Sequence, residues 1–481
     1  MTVFVCVHGH AYQPPRESPE TGEIAQQPSA APFHDWNERI AAECYGPLGH
    51  AKILTEDGVV ATETNLWGEM SFDLGPTLGV WMDRHAPDVA QSVAAGDASG
   101  GGAMAHPWVH AILPLTPAGD RSTIVRWGAD EYEARYGRKA EGMWLPETAV
   151  DTASLEALAD VGITWTMLAP HQIQTTFGGE PGHHPLLVTL PSGRSMTVLP
   201  YDGALSHGVA FGGLLEDGLR LARAVAERAS SRHFESPASA DGESTPGVPP
   251  LIILSTDIES FGHHHRFGEM ALARAVEEWR RIDGIELITP ELYLSEYPAS
   301  RDGRLVERTS WSCAHGIERW RSNCGCRFEE VEGSDQQWRR PLRDVLDAVA
   351  DVAGRLVNER AGVELTDPWA ARYDYGLVLS ATPANRNTAR DAFLERHLVA
   401  GASAERAFAW LEAERLRLEA WSSCAWFFDS PDRIETVQVL VQARAALARF
   451  AALTGADATA WFDEQLNVTG LVEEPQLAEA V

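Results

Sequence analysis

The chain opens on an uninterrupted apolar run, Val3 to Val7 (VFVCV), and the pattern returns at Leu251 to Leu254 (LIIL). Short apolar runs bounded by turn or polar residues predict strands buried on both faces of a parallel sheet. Gly162 to Leu168 and Met196 to Leu199 read the same way, and Ser71 to Leu78 reads as a strand turning at Gly75-Pro76 into a helix with Trp81. Trp144-Leu145 predicts a further short strand stopped by Pro146. Between them, apolar positions recur at helical spacing in Phe33 to Tyr45, Arg126 to Tyr136, Ser154 to Val161 and from Met270 onward (MALARAVEEWRRI). Strand and helix signals thus alternate from Val3 to about Pro290, which predicts a parallel α/β barrel.

Beyond Pro290 the pattern changes. Thr309 to Cys326 is dense in Trp, Arg, His and Cys without periodicity, whereas 338–357, 388–398, 404–421 and 434–453 all repeat at helical spacing. A catalytic barrel over 1–300 and a mostly helical domain over 301–481 are therefore expected, the Trp-rich segment reaching the cleft. Residues 230–249, rich in Ser, Pro, Gly and Ala, predict a flexible surface insertion within the barrel, because the strand leading to Asp257 follows at once.

Candidate chemistry gathers at predicted strand ends. Asp257 and Glu259 follow Leu251 to Leu254, Glu147 follows Trp144-Leu-Pro, and His8-Gly-His10 with Tyr12 and Gln13 follows the first run. Carboxylates at the carboxyl ends of parallel strands occupy the place where barrels keep their chemistry, although loop carboxylates also cap helices. In Phe33 to Arg39 and Glu43 to Tyr45, the mixture of aromatic and amide or acid side chains could line a sugar cleft or form a buried polar network between helix and barrel. The run from Gly100 carries His106, Trp108 and His110 but lacks the Lys-Ser/Thr ending of a phosphate loop, so nucleotide binding is not supported.

Charge narrows the partners. The 69 acids against 39 bases give a net charge of −30, a field that repels phosphate backbones and anionic membranes and leaves neutral substrates as natural partners. No apolar run approaches the roughly 20 residues that span a bilayer, and no basic leader precedes Val3, so a cytoplasmic location is expected. Six cysteines are too few for a disulfide scaffold. Cys313, Cys324 and Cys326 with His315 could hold zinc, but the spacing is not that of a paired Cys-x2-Cys ribbon, and packed thiols are the expectation.

His8-Gly-His10 with Gln13-Pro14, His110 to Leu115, Trp144-Leu-Pro-Glu147 and Asp257 to Gly262 resemble the first four ordered motifs of glycoside hydrolase family 57. Trp311 to Trp338 resembles the fifth, and Ser423 to Asp429 with Ile434 to Val439 resembles a bacterial branch carrying a helical domain of unknown function. The resemblance implies an incomplete (β/α)7 barrel followed by an α-helical C-terminal domain, with retaining chemistry on α-glucans or maltooligosaccharides and neither cofactor nor metal. It makes Glu147 the nucleophile and Asp257 the general acid/base. His8, His10, Gln13, His110, Glu259 and His264 would bind substrate, and Trp144, Trp311, Trp320 and Trp338 would stack on sugar rings. In one departure, Ala11-Tyr12 separate His10 from Gln13, where the family reads His-x-His-Gln-Pro. Amylase, 4-α-glucanotransferase and branching activities share this carboxylate pair. Two other classes are a metal-dependent carbohydrate deacetylase, with His8, His10, Asp257 and His263 to His265 as ligands, and a glucan-binding protein without turnover.

Overall fold

The computed structural model describes residues 2–176, 181–230, 248–328 and 335–471; most of the expected insertion, 231–247, lies outside them. Val3–Ala11 is buried along its whole length, as its apolar sequence requires, and is the central strand. It pairs in parallel with Leu251–Asp257 on one side and with Ser71–Leu74 on the other, while Ile285–Leu287 joins its first residues. Ser71–Leu74 pairs in turn with Gly102–Met104. Parallel bridges from Ala105 to Met143 and from Gly142 to Trp165 carry the ring onward, and Trp165–Leu168 pairs with Ser195–Pro200.

The last seam rests on the Asp202 N–H donating to the Ile253 carbonyl at 2.8 Å and the Ser255 N–H donating to the Ser206 hydroxyl at 3.0 Å, where other neighbours form ladders. Seven strand positions thus circle one axis, an incomplete (β/α)7 barrel. Two of them depart from the sequence reading. Gly102–Met104, expected in a loop, is a strand of three residues whose first position must be small, since a Cβ on Gly102 would stand 2.9 Å from Cβ of Thr289. Trp144-Leu145, expected as a strand, is extended chain next to the bridges at Gly142 and Met143.

Inside the ring, Phe4, Cys6, Met104, Trp144, Trp165 and Ile253 form a packed cluster. Ala118–Tyr136, Gly218–Ala229 and Gly268–Trp279 are among its outer helices. The helical region follows its sequence pattern closely, with Arg339–Arg360, Arg386–His397, Ala404–Glu419 and Ile434–Thr454 as main helices. A single hydrophobic core runs from Val3 to Leu471 and joins these helices to the barrel. A buried ionic cluster reinforces the junction: Arg417 grips Asp120 through two nitrogens at 2.6 and 2.8 Å, Arg372 reaches Asp120 and Glu414 at 2.8 Å each, and Trp421 Nε1 donates to Asp120 at 3.1 Å. Among the described residues, no helix is long and apolar enough to cross a membrane.

Candidate active site

Strand register builds the site. His10 is paired with Asp73 on one neighbouring strand and with Asp257 on the other, and His8 with Ser71 and Ser255. Paired residues of a sheet share a face, and residues two apart on one strand share it again. His8, His10, Asp73 and Asp257 therefore all project to one side, at the carboxyl ends of the strands.

Asp73 is fully buried and accepts from His8 Nε2 at 3.2 Å and from His10 Nδ1 at 2.8 Å. Burial would raise its carboxyl, but His10 and His8 overcome this and hold it at about 2. The reciprocal effect keeps His10 protonated: burial opposes its charge, yet Asp73, with Asp257 and Glu259, raises it to about 9. His10 then donates from Nδ1 to Asp73 and from Nε2 to His110 Nε2, 3.0 Å away, and His110 Nδ1 lies 2.6 Å from Ser423 Oγ. Burial, and then the His10 charge, keeps His110 well below its ordinary value, so it accepts that bond as a neutral ring. Tyr12 stacks on His110 with centroids 4.3 Å apart and shares a 2.9 Å hydrogen bond with Ser422.

Asp257 ends a strand whose six preceding residues are buried, and is itself open to water. Protein nevertheless crowds around it, and this desolvation pushes its carboxyl up to about 6; His10 opposes the rise while Glu147 and Asp73 add to it. Glu259, two residues on, is buried and pushed up to about 7 by burial and then by Asp257, against the hydrogen bond that Tyr45 donates to it. Gln13 Nε2 stands 3.4 Å from the same Glu259 oxygen, so the two extra residues before Gln13 still bring it onto this loop.

Glu147 approaches from across the ring. The Trp144 N–H donates to the Ala105 carbonyl at 2.8 Å, after which Leu145-Pro146 lead into two successive left-handed residues, Glu147 (φ 57°) and Thr148 (φ 46°). Such a backbone is costly for any residue with a Cβ and most for a β-branched one, so its surroundings must impose it. Gln172 does so from one side, donating to the Thr148 carbonyl at 2.7 Å and accepting from its hydroxyl at 2.8 Å. From the other, the Trp311 N–H donates to the Glu147 carbonyl at 3.1 Å. The carboxylate is fixed as well: Trp311 Nε1 and Ser312 Oγ donate to Glu147 Oε2 at 3.0 and 2.6 Å.

The sequence candidates therefore divide. His8, His10, His110, Asp257, Glu259, Gln13, Glu147 and the half-buried Trp311 are linked by hydrogen bonds, register or charge. Trp144 and Trp320 are fully buried, so neither offers a face to a sugar; Trp144 lies stacked against His8 and His10 and supports them from behind. Trp338 is half-buried at the head of the helix Arg339–Arg360, beneath the Arg339 guanidinium. His264 is exposed beside His263. The ligand set considered for a deacetylase does not assemble, since His263 faces Glu43 at 2.5 Å and His265 the Ala210 carbonyl at 2.8 Å. Nitrogens of His10, His106 and His110 do lie within 4.8 Å of one another, but those of His10 and His110 are already engaged as described. Tyr45, from the segment that could line a cleft, joins the site through Glu259; Asp73, Gln172, Ser312, Ser422 and Ser423 are further members that no local pattern announces, and polar residues 71 and 73 alternating with Phe72 and Leu74 in a buried strand are the signal that could have found Asp73.

Comparison with known proteins agrees with this architecture. Residues 101–301 match the model of glycosyl hydrolase family 57, and residues 335–469 match a domain of unknown function, DUF3536. The fold is similar to an exo-type maltose-forming amylase from Pyrococcus sp. ST04, with TM-score 0.74, 16% identity, and coverage of 97% of this chain and 83% of that one. It is also similar to a GH57-type branching enzyme from Pyrococcus horikoshii (TM-score 0.63, 14% identity, 100% and 97% covered) and to a 4-α-glucanotransferase from Thermococcus litoralis (TM-score 0.55, 14% identity, 92% and 60% covered). No curated protein matches the chain in sequence.

Proposed function

We propose that this chain is a member of glycoside hydrolase family 57, whose model matches residues 101–301, and that it cleaves or transfers α-linked glucosyl units with retention of configuration, Glu147 acting as nucleophile and Asp257 as general acid/base. One observation carries the reading. A fixed carboxylate, clamped through Oε2, and a second carboxyl pushed up to about 6 act on each other electrostatically from opposite sides of the ring. A clamped carboxyl facing a second one that burial pushes up is the pairing that nucleophile and acid require.

In the first step Glu147 attacks the anomeric carbon while Asp257 gives its proton to the departing glycosidic oxygen, leaving a glycosyl ester on Glu147. Asp257, now a carboxylate, takes a proton from water or a sugar hydroxyl as that oxygen attacks the same carbon and frees Glu147. The charge of His10 faces the sugar position from between Asp73 and Asp257, and Trp311 presents its partly open ring beside Glu147.

The expected outcome is that Glu147→Gln lowers turnover of amylose or maltooligosaccharides by about 10⁴ or more. Asp257→Asn lowers it by about 10² to 10⁴, and by less on an aryl glycoside whose leaving group needs no proton. Proton NMR of the first product should give the α-anomer. A β-anomer, or wild-type turnover in either variant, would overturn these assignments, and chain-length analysis of the products distinguishes amylase, glucanotransferase and branching outcomes.

A further inference from the structure

We propose that Cys313, His315, Cys324 and Cys326 bind one zinc ion in a tetrahedral structural site that holds the Trp311-Ser312 corner against Glu147. The four ligand atoms all lie within 4.8 Å of one another. Cys313 Sγ is 3.7 Å from Cys326 Sγ and 4.0 Å from Cys324 Sγ, and Cys326 Sγ is 3.4 Å from His315 Nδ1. Zinc bonds of about 2.3 Å to sulfur and 2.0 to 2.1 Å to nitrogen, arranged tetrahedrally, set sulfur–sulfur edges near ~3.8 Å and sulfur–nitrogen edges near ~3.6 Å. These three edges, 3.7, 4.0 and 3.4 Å, are close to those of such a tetrahedron and far longer than the roughly 2.05 Å of a disulfide.

The surroundings suit a thiolate site. The buried Arg339 places Nη1 3.8 Å from Cys324 Sγ and 3.0 Å from the Cys326 carbonyl. Three thiolates around a divalent ion leave one negative charge, which that guanidinium offsets, as outer partners of metal sites commonly do. Soft sulfur with one imidazole selects zinc over magnesium or calcium. The spacing Cys-x-His-x8-Cys-x-Cys hides the site from a search for Cys-x2-Cys. Here the chain turns between Cys324 and Cys326 through a single left-handed residue, Gly325 (φ 83°). Thiols serving only as packing, such as the buried Cys6 and Cys44, have no reason to converge with a ring nitrogen, and Cys324 and Cys326 are partly exposed. Ser312, a donor to Glu147, immediately precedes the first ligand, so the ion ties that donor in place.

The test measures metal on the full-length chain, produced in zinc-supplemented medium and kept reduced, with no substrate present; its outcome is therefore separate from that of the glycosidase assays. One zinc per chain is expected, with X-ray absorption giving three sulfur ligands and one nitrogen. Cobalt replacement should give thiolate-to-cobalt charge-transfer bands and the intense visible bands of a tetrahedral ion. Cys324→Ser/Cys326→Ser should remove the ion, while His10→Ala should retain it. Because the double variant can misfold, His315→Ala, at an exposed ligand, is titrated with zinc in parallel and should bind at least tenfold more weakly while circular dichroism is unchanged. Protein without stoichiometric zinc after reconstitution, a mapped disulfide within the cluster, or zinc affinity unchanged in His315→Ala would overturn the proposal.

Discussion

At the scale of single residues, Asp257 makes a sharp demand on pH. With its carboxyl at about 6, the acid form that the proposed first step requires is lost as pH rises through that value. We therefore expect kcat/KM on maltooligosaccharides to fall about tenfold per pH unit above that point. This limb should vanish on an activated aryl substrate, and rates unchanged between pH 6 and 8 on maltooligosaccharides would contradict it. The sign for stability is parallel: a carboxyl raised above its unfolded value of 3.8 favours folding below that value, and the advantage is lost as pH rises through about 6. Sequence made this residue conspicuous, because acids just beyond a short apolar run are a local pattern. Its regulator Asp73 was not legible in the same way. That side chain matters only because register sets it beside His10, and pairing partners are not written locally. Trp144 and Trp320 depart from their expected stacking role for a related reason: composition shows that a ring is present but not which face meets solvent, and both rings are wholly enclosed.

Among elements, the long apolar strands and the C-terminal helices emerged from periodicity alone, since burying a continuous stripe is what those patterns are for. Gly102–Met104 did not, because three residues carry no period and are defined by the neighbours that pack against them. The contact between the helix Ala118–Tyr136 and the C-terminal helices was equally hidden, resting on Asp120 meeting Arg417 and Arg372 from far along the chain. Removing one member of a buried ionic cluster leaves its partners uncompensated, so Asp120→Ala should destabilise the protein by about 3 to 5 kcal/mol. Denaturant unfolding monitored by Trp fluorescence measures this. A change below about 1 kcal/mol would mean that water screens the cluster.

For the molecule as a whole, the barrel and the helical region form one structure around a shared core. Calorimetry of the intact chain should accordingly give a single cooperative transition, and a fragment of residues 1–328 should be inactive and aggregate, its apolar junction left uncovered. Two separated transitions, or an active soluble fragment, would show that the halves are independent. The joint between them also sets a schedule. His110, near the first quarter of the sequence, is steadied by Ser423, 313 positions later, and translation delivers those two side chains at widely separated times. The proposed site is thus completed only once residue 423 has been made: a nascent chain still short of Ser423 can have wound most of its barrel and yet lack the hydroxyl that steadies His110.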